Sequence, residues 1–451
     1  MFDIIGKLRG DKTIWAIVFL LALVSFLPVY SASTNLVYVV GNGTTIGHLF
    51  KHAVHVLLGF GIIYWIHKMP YHYFKALSIF GIPLVVLLLV YTLFKGTEIG
   101  GANASRWIQI PFVGVSFQTS TLAFIILMVY VARYLAKVSD KEYSFKESFL
   151  ELWIPVGAVL ALILPANFST TALIFAMICM LIFIGQYPLK YLGIVLAMGF
   201  SALLLFILLG KAFPDNKYFN RVNTWEKRIE RFTKDTPNED DYQIEKAKIA
   251  IASGGVIGLG AGKSVQKNFL PQSSSDFIFA IIVEEWGLVG AVTIIGLYLL
   301  LLIRFVINAQ KATSLFGKLL IIGLGFPIIF QAFVNMGVAV ELLPVTGQPL
   351  PLISSGGTSI WMTCIAVGII LSVTKKEEEV ALDLEEKRKR DEALQQIIDA
   401  QVALNEEKEA DENQQKINDI KSSIRESLIE DENGDVLVNG QNPMNAVLNK
   451  K

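Results

Sequence analysis

The amino-acid sequence predicts an all-α polytopic membrane protein with about ten transmembrane helices, and three observations predict it. Apolar residues make up 53% of the 451 positions and charged residues only 17%, with a mean hydropathy of +0.53. Apolar runs long enough to cross a hydrocarbon layer, which takes about 20 residues, recur as far as Val373. Lys and Arg collect in alternate connections between those runs, the pattern that orients a helical membrane protein.

The runs fall at 14–31, 48–66, 74–94, 115–135, 152–164, 170–184, 189–209, 277–306, 315–340 and 360–373. Lys7, Arg9 and Lys12 precede the first; Lys68 and Lys75 follow the second; Arg133, Lys137, Lys141 and Lys146 follow the fourth. Arg304, Lys311 and Lys318 follow the eighth, and Lys375 and Lys376 close the last. The intervening loops 32–47, 165–169 and 341–357 contain no Lys or Arg. Both termini are therefore expected in the cytoplasm, and the large loop 211–275, between helices 7 and 8, outside it. The first run is as long as a span and lacks a small-residue cleavage site, so it reads as a retained helix rather than a leader.

Three regions separate by composition: a membrane domain over 1–373, the extracytoplasmic loop 211–275 inserted within it, and a polar cytoplasmic tail over 374–451. Within the loop, 242–252 has the period of a short amphipathic helix, ended by Ser253-Gly254-Gly255. The tail spaces Leu394, Ile397 and Ile398, then Ile417, Ile420, Ile424 and Leu428, as a helix would. It reads either as a solvated, partly disordered helix or as a coiled-coil contact for a cytoplasmic partner. Cys179 and Cys364 each lie inside an apolar run, where packing explains them and no disulfide or thiolate metal site is available.

Asp276 is the most informative residue, because it ends a charged loop just where an apolar helix opens at Phe277. Acids at membrane depth are functional by default, and the same run carries Glu284 and Glu285. At about 100° per residue, Glu284 lies roughly 80° around from Asp276 and about 12 Å deeper, while Glu285 faces nearly the opposite side. A paired-carboxylate glycosidase arrangement, which needs about 5 to 9.5 Å, is thereby excluded for Asp276 with either. Asp276 then acts as a single base, caps the helix, or does both.

Three other stretches carry polar chemistry. The run Ser253-Gly254-Gly255-Val256-Ile257-Gly258-Leu259-Gly260-Ala261-Gly262-Lys263-Ser264 ends like a phosphate loop, but Ile257 stands where that motif needs Gly. Nucleotide binding is excluded. Its glycines permit close backbone approach to a bulky group such as a pyrophosphate, with Lys263 and Lys267 beside it. Arg106, next to Trp107, suits either phosphate recognition or a headgroup anchor. The segment from Asn335 to Ser359, through Thr346 and Ser354, is apolar yet broken by Pro and Gly, and reads as a re-entrant lip. His48, His52 and His55 share a helical face, but without an acid or Cys neighbour they are not expected to hold metal.

In this order the motifs resemble the SEDS family of bacterial cell-wall polymerases. The resemblance rests on Arg106-Trp107, on Ser253-Gly254-Gly255 with Gly258, Gly260, Gly262, Ser264, Gln266 and Lys267, and on Leu270-Pro271. It continues through Asp276-Phe277-Ile278-Phe279-Ala280, Glu284-Glu285 and Gly287, Asn335-Met336-Gly337, Leu343-Pro344-Val345-Thr346-Gly347 and Leu350-Pro351-Leu352-Ile353-Ser354. Ser264-Val265-Gln266-Lys267, the form of the last motif and the long tail look like the division branch, with the elongation branch the close alternative. The resemblance implies a peptidoglycan glycosyltransferase that joins lipid II to an undecaprenyl-pyrophosphate-linked glycan and works with a class B penicillin-binding transpeptidase and other division proteins. It implies a multi-pass protein of the bacterial inner membrane, at the septum, with no nucleic-acid partner.

Asp276 is then the expected general base. Arg106, Trp107, Lys263, Ser264, Gln266, Lys267, Glu284, Glu285, Asn335, Thr346 and Ser354 are the expected substrate-binding residues. No ligand cluster demands a metal, although a magnesium or manganese ion is compatible with the chemistry. Two familiar family acids are absent, at Thr121 and Asn167, and Ser355 replaces a usual Tyr, so any mechanism that needs those acids is in question here. A lipid-linked-precursor flippase and a non-catalytic division scaffold are the rival readings.

Overall fold

The computed structural model describes residues 8–38, 43–96, 107–109, 116–139, 141–212, 239–270, 272–430 and 436–438. Helices α1 (Lys12–Tyr38), α2 (Thr45–Ile66) and α3 (Tyr73–Lys95) come first. An antiparallel hairpin of β1 (Trp107–Gln109) and β2 (Ser116–Gln118) pairs Trp107 with Gln118 and leads into α4 (Thr119–Val138). A one-turn α5 (Phe145–Ser148) starts with a capping box, Ser144 Oγ accepting from the Glu147 amide and the Glu147 carboxylate from the Ser144 amide. It runs through a π turn, Phe149–Trp153, into α6 (Ile154–Ile163). Pro155 stands at the start of α6. It has no amide hydrogen and its ring crowds the preceding turn, and the wider π turn accommodates both.

Then come α7 (Phe168–Ile184), α8 (Leu189–Ala212), α9 (Glu239–Gly254), α10 (Ile278–Lys311), α11 (Leu315–Ala339) and α12 (Gly357–Ser427). Eight of these helices are long and apolar enough to cross a membrane: α1 to α4, α8, α10, α11 and the first part of α12. The expected fifth and sixth runs appear as α6, of 10 residues, and α7, of 17. The chain is thus an all-helical polytopic membrane protein with little sheet. The expected amphipathic segment is α9, ending at Gly254.

Burial ranks the helices. In α11, 78% of the most apolar stretch is inside the protein, against 11% in α8, so α11 is central and α8 is left to the lipid. Around α11 the core is closed by large side chains with no exposure, among them Tyr298, Phe305, Leu127, Leu135 and Ile178. Cys364 is buried and packs α12 against Gly59 of α2, where a Cβ would lie 2.7 Å from its sulfur. Cys179 is also a free thiol.

At the end of the bundle where α1 begins, Asp11 ties three helices together. Its carboxylate accepts from the Thr13 amide at 2.8 Å, the Ile14 amide at 3.1 Å, Arg304 Nε at 3.0 Å and Asn308 Nδ2 at 2.5 Å. The Asp11 amide donates to Thr374 Oγ1 at 3.1 Å, and the Gly10 amide to Glu378 Oε2 at 2.8 Å. Burial raises the Asp11 carboxyl, but the donors on Asn308, Arg304 and Ile14 outweigh it and hold the group below the usual carboxylate value.

The chain divides into two units, Met1–Glu378 and Glu379–Lys451. In the second, the remainder of α12 leads into a hairpin of β3 (Leu428–Glu430) and β4 (Val436–Val438). Its surface carries i, i+4 pairs such as Lys389 with Glu385 at 2.8 Å. Leu394, Ile397, Ile398, Ile417, Ile420 and Ile424 are exposed along it.

Candidate functional site

The apolar run after Asp276 is not one helix. Phe277 is the N-cap of α10 and no side-chain bond caps it, so Asp276 stands one residue earlier, in a turn, and the capping role expected of it is not taken up. α10 then breaks at Gly287, where φ is 66° and ψ is −159°. A break there removes the amides of Leu288 and Val289 from the carbonyls of Glu284 and Glu285, which an unbroken helix would pair with them.

The glycine-rich loop replaces what the break removes. Leu259 and Gly260 donate their amides to the Glu284 and Glu285 carbonyls, each at 2.9 Å. The Leu288 amide donates to Gly255 O at 2.9 Å and the Val289 amide to Val256 O at 3.2 Å. Glycine is required because backbone meets backbone: a Cβ on Gly258 would lie 2.2 Å from Glu285 O, and one on Gly287 would lie 2.4 Å from Val256 O. Two of the glycines expected to make room for a pyrophosphate, Gly254 and Gly258, instead meet the backbone of α10, whereas a Cβ on Gly255 or Gly262 would meet nothing within 4 Å.

The carboxylates of Glu284 and Glu285 complete this junction, each with 1% exposure. Glu284 accepts from Ser264 Oγ, from the Val265 amide at 2.9 Å and from the Gln266 amide at 3.2 Å. Glu285 accepts from Ser31 Oγ of α1 and from the Ser264 amide at 3.3 Å. Both carboxylates thus reach one residue, Ser264, Glu284 at its hydroxyl and Glu285 at its amide. Lys267 Nζ donates to Gly262 O at 2.6 Å and to Ser31 Oγ at 3.2 Å. Lys263 is exposed and lays its stem over Gly260. Ser31 carried no sequence signal, since a lone Ser in an apolar run is ordinary.

Asp276 belongs to a second group. The turn before α10 is closed by the Ser275 and Phe277 amides on Gln272 O, at 3.1 and 3.2 Å. Asn335 of α11, 1% exposed, donates through one Nδ2 to Asp276 O and to Gln348 O, both at 2.8 Å. Ser354 Oγ donates to Ser275 O at 2.6 Å and accepts from the Leu350 amide at 2.7 Å, while the Ser355 amide donates to Ser274 O at 2.9 Å. Three successive carbonyls of the turn are thus held by α11 and the lip, and the Asp276 side chain, partly exposed, faces Gly347, whose Cβ would lie 3.5 Å from its Oδ2. Beneath, Phe277, Leu270, Ala280, Ala247, Ala250 and Val338 form an apolar plug joining α9, α10 and α11.

The lip is irregular between α11 and α12, and its second part is buried: Leu350, Leu352 and Ile353 are 1%, 3% and 0% exposed. Pro351 O accepts from the hydroxyl of Tyr298, midway along α10, so the lip dips into the bundle as its Pro and Gly content predicted. Gln348 Nε2 reaches Thr170 Oγ1 at 3.0 Å, and Asn167 accepts from the Thr170 amide at 3.2 Å as N-cap of α7. Where an acid was expected, Asn167 therefore heads a chain of bonds through Thr170, Gln348 and Asn335 to the Asp276 turn. Gln348 lies within the segment from Asn335 to Ser359, where nothing in the sequence marks it for this role.

Thr121 folds back onto Gln118 O at 2.7 Å. It lines a cavity of about 60 Å³ with Gln331, Ser359, Thr363 and apolar residues of α4, α11 and α12. Thr346 Oγ1 is buried with no hydrogen bond. Trp107 is in β1, and Arg106 lies outside the described residues. The structure thus sorts the expected residues into Ser264, Gln266, Lys267, Glu284 and Glu285 at the helix break, and Asp276, Asn335 and Ser354 at the lip. His52 bonds Ser25 Oγ at 2.7 Å, and His55 packs edge-on against Trp361. Among the described residues no three His, Cys, Asp or Glu side chains converge as metal ligands.

A family model described as FTSW_RODA_SPOVE, cell cycle protein, matches residues 11–379. A protein of Geobacter sulfurreducens named "Probable peptidoglycan glycosyltransferase FtsW" is 34% identical over 337 residues, covering 73% of this chain and 85% of that protein. A protein of the same name from Nitrosomonas europaea is 31% identical over 380 residues, covering 80% and 92%. A chain solved under the heading "Structural coordination of polymerization and crosslinking by a peptidoglycan synthase complex" has a TM-score of 0.61 at 24% identity, over 82% of this chain and 98% of that one. The rod shape determining protein RodA of Thermus thermophilus gives a TM-score of 0.59 at 23% identity, over 82% and 99%. The structural likenesses concern the fold, and the family match takes in α1 to α11, the lip and both polar groups: the chain belongs to the FTSW_RODA_SPOVE family of cell cycle proteins.

Proposed function

We propose that this membrane protein is a peptidoglycan glycosyltransferase that polymerises lipid II into glycan strands for septal cell-wall synthesis, with Asp276 as general base. The names of its relatives support the activity. The observation that carries the base assignment is the braced turn: Asn335, Ser354 and Ser355 fix the backbone on which Asp276 stands, beside an irregular, partly buried lip. Preorganisation of this kind suits a group that must meet a hydroxyl within about 3 Å.

In the reaction the 4-hydroxyl oxygen of the acceptor sugar attacks the anomeric carbon of the growing strand. Its proton passes to Asp276, the bond from the anomeric carbon to the phosphate oxygen breaks, and that electron pair leaves on the lipid pyrophosphate. Arg106, Lys263 and Lys267, among the cations of the outer segments, would meet that charge. No step of the transfer is routed through a metal; a magnesium or manganese ion shared with the substrate phosphates would need only one or two protein carboxylates, and Asp276 would supply one. The outer side is the extracytoplasmic one, both termini are cytoplasmic, and the partner is a class B penicillin-binding transpeptidase.

The test is polymerisation of lipid II by purified protein with its transpeptidase, comparing wild type with Asp276→Asn. Undiminished polymer from folded Asp276→Asn protein sinks the base assignment. Transfer of lipid II across liposomes without polymer favours a flippase instead. A fluorescent fusion found along the side wall rather than at the septum would move the protein to elongation.

A further inference from the structure

We infer that the N-terminus of α12 is the seat of the leaving pyrophosphate, an assignment that rests on the glycosyltransferase reading and adds an anion site to it. The first amides of a helix have no acceptor within it and carry the positive end of its dipole. In α12 these are Gly357, Thr358 and Ser359, following Gly356, whose carbonyl already accepts from the Ile360 amide at 3.1 Å. This terminus adjoins the Asp276 turn, since Ser355 and Ser354 bond Ser274 and Ser275. Gly356 and Gly357 have no side chain of their own to cover their backbone and are partly exposed.

A second observation points to a ligand there. Thr358 is 2% exposed and its Oγ1 has no hydrogen-bond partner. In a helix the Cα–Cβ bond tilts toward the N-terminus, so this hydroxyl leans to the same end as the amides. On the other flank the imidazole of His55 packs so closely that a Cβ on Gly357 would lie 2.6 Å from its Nε2, and His55 Nδ1 is likewise buried and without a partner. Buried polar atoms without partners are rare enough to require an explanation. Amides, a hydroxyl and an imidazole around a pair of glycines form a site for a phosphate-type anion.

The placement also fits the movement of charge. As the transfer proceeds, negative charge leaves Asp276 when it takes the proton and appears on the pyrophosphate. A fixed positive helix end next to that turn favours this displacement without any side chain moving.

Three probes in micelles of neutral detergent test the site: undecaprenyl pyrophosphate, undecaprenol, which lacks the anion, and phosphatidylglycerol, which offers an ordinary headgroup phosphate. Thr358→Val keeps the shape and removes the hydroxyl; Thr358→Ser restores it. The expected result is binding of undecaprenyl pyrophosphate weakened about tenfold in Thr358→Val, the loss of one charge-assisted hydrogen bond, with binding kept in Thr358→Ser and undecaprenol unaffected in all. Hydrogen exchange on wild type should show the amides of 356–359 protected by undecaprenyl pyrophosphate, which needs no variant to fold. Absence of that protection, an equal loss for undecaprenol, or displacement by equimolar phosphatidylglycerol overturns the assignment. Thr358-dependent binding without any polymerisation keeps the site and fails the polymerase; polymerisation with undiminished binding by Thr358→Val does the reverse.

Discussion

The carboxylates of Glu284 and Glu285 and that of Asp276 come from one short stretch of chain, yet their surroundings are built on opposite plans. At the helix break the side chains are the point: both carboxylates are nearly sealed, and Ser264, Val265, Gln266 and Ser31 converge on them. At the lip the backbone is the point: Asn335, Ser354 and Ser355 hold the carbonyls of 274–276, and the Asp276 side chain stays partly exposed. A sealed acid surrounded by donors stabilises structure, whereas an acid positioned through its backbone is available for chemistry. Intramembrane acidity alone does not distinguish the two.

The largest effect that would sharpen this contrast is at Asp276. Asp276→Asn should lower polymerisation by about 100-fold or more, the usual contribution of a general base, with an unchanged melting temperature. Glu284→Gln should do the opposite. Loss of charge on an acceptor of several buried bonds should cost about 2–3 kcal/mol of stability, read as a lower melting temperature, with activity per folded molecule retained. A Glu284→Gln protein that melts normally but is inactive would collapse the distinction.

Asn335→Ala comes next. It frees Asp276 O and Gln348 O together and should reduce turnover by about tenfold with little change in KM; an equal rise in KM would mean that Asn335 holds substrate instead. Asp11 is a sealed acid remote from both groups. Its folded carboxyl lies below the ordinary value, so its contribution to stability is present above the unfolded pKa of about 4 and is lost as pH falls through the folded one. Thermal melts of wild type and Asp11→Asn should therefore differ at neutral pH and converge in acid. The smallest effect belongs to Lys248, which bridges α9 to Glu341 at 2.6 Å on the exposed surface. Lys248→Ala should leave the melting temperature unchanged.

Much of the fold was legible because burial in lipid writes itself as long apolar runs, and the positions of α1 to α4, α7, α8, α10 and α11 follow them. The lip was legible too, since Pro349, Pro351 and Gly356 refuse a helix. The break at Gly287 was not: one glycine in an apolar run looks like a tolerated helix residue, and only the partner loop makes its left-handed backbone worthwhile. For the same reason the contact of Gly254 and Gly258 with the backbone of α10 was not legible. The meeting of Glu284 and Glu285 at Ser264 was not legible, because helical angles describe only Cβ directions and a Glu side chain has three further bonds. The start of α10 was placed one residue early, since Phe277 rather than Asp276 is the N-cap, helix ends being set by hydrogen bonds that a sequence does not display.

The interruption at Gly287 also bears on how the chain is made. Inside a bilayer, backbone groups must be paired within the protein, and α10 cannot pair two of its carbonyls and two of its amides by itself. Their partners, Gly255, Val256, Leu259 and Gly260, are synthesised earlier and belong to a different segment. Insertion of α10 is therefore not an act of that helix alone: its first turns reach their final state only once the preceding loop has docked, which makes the glycine-rich loop an assembly factor for the span that follows it.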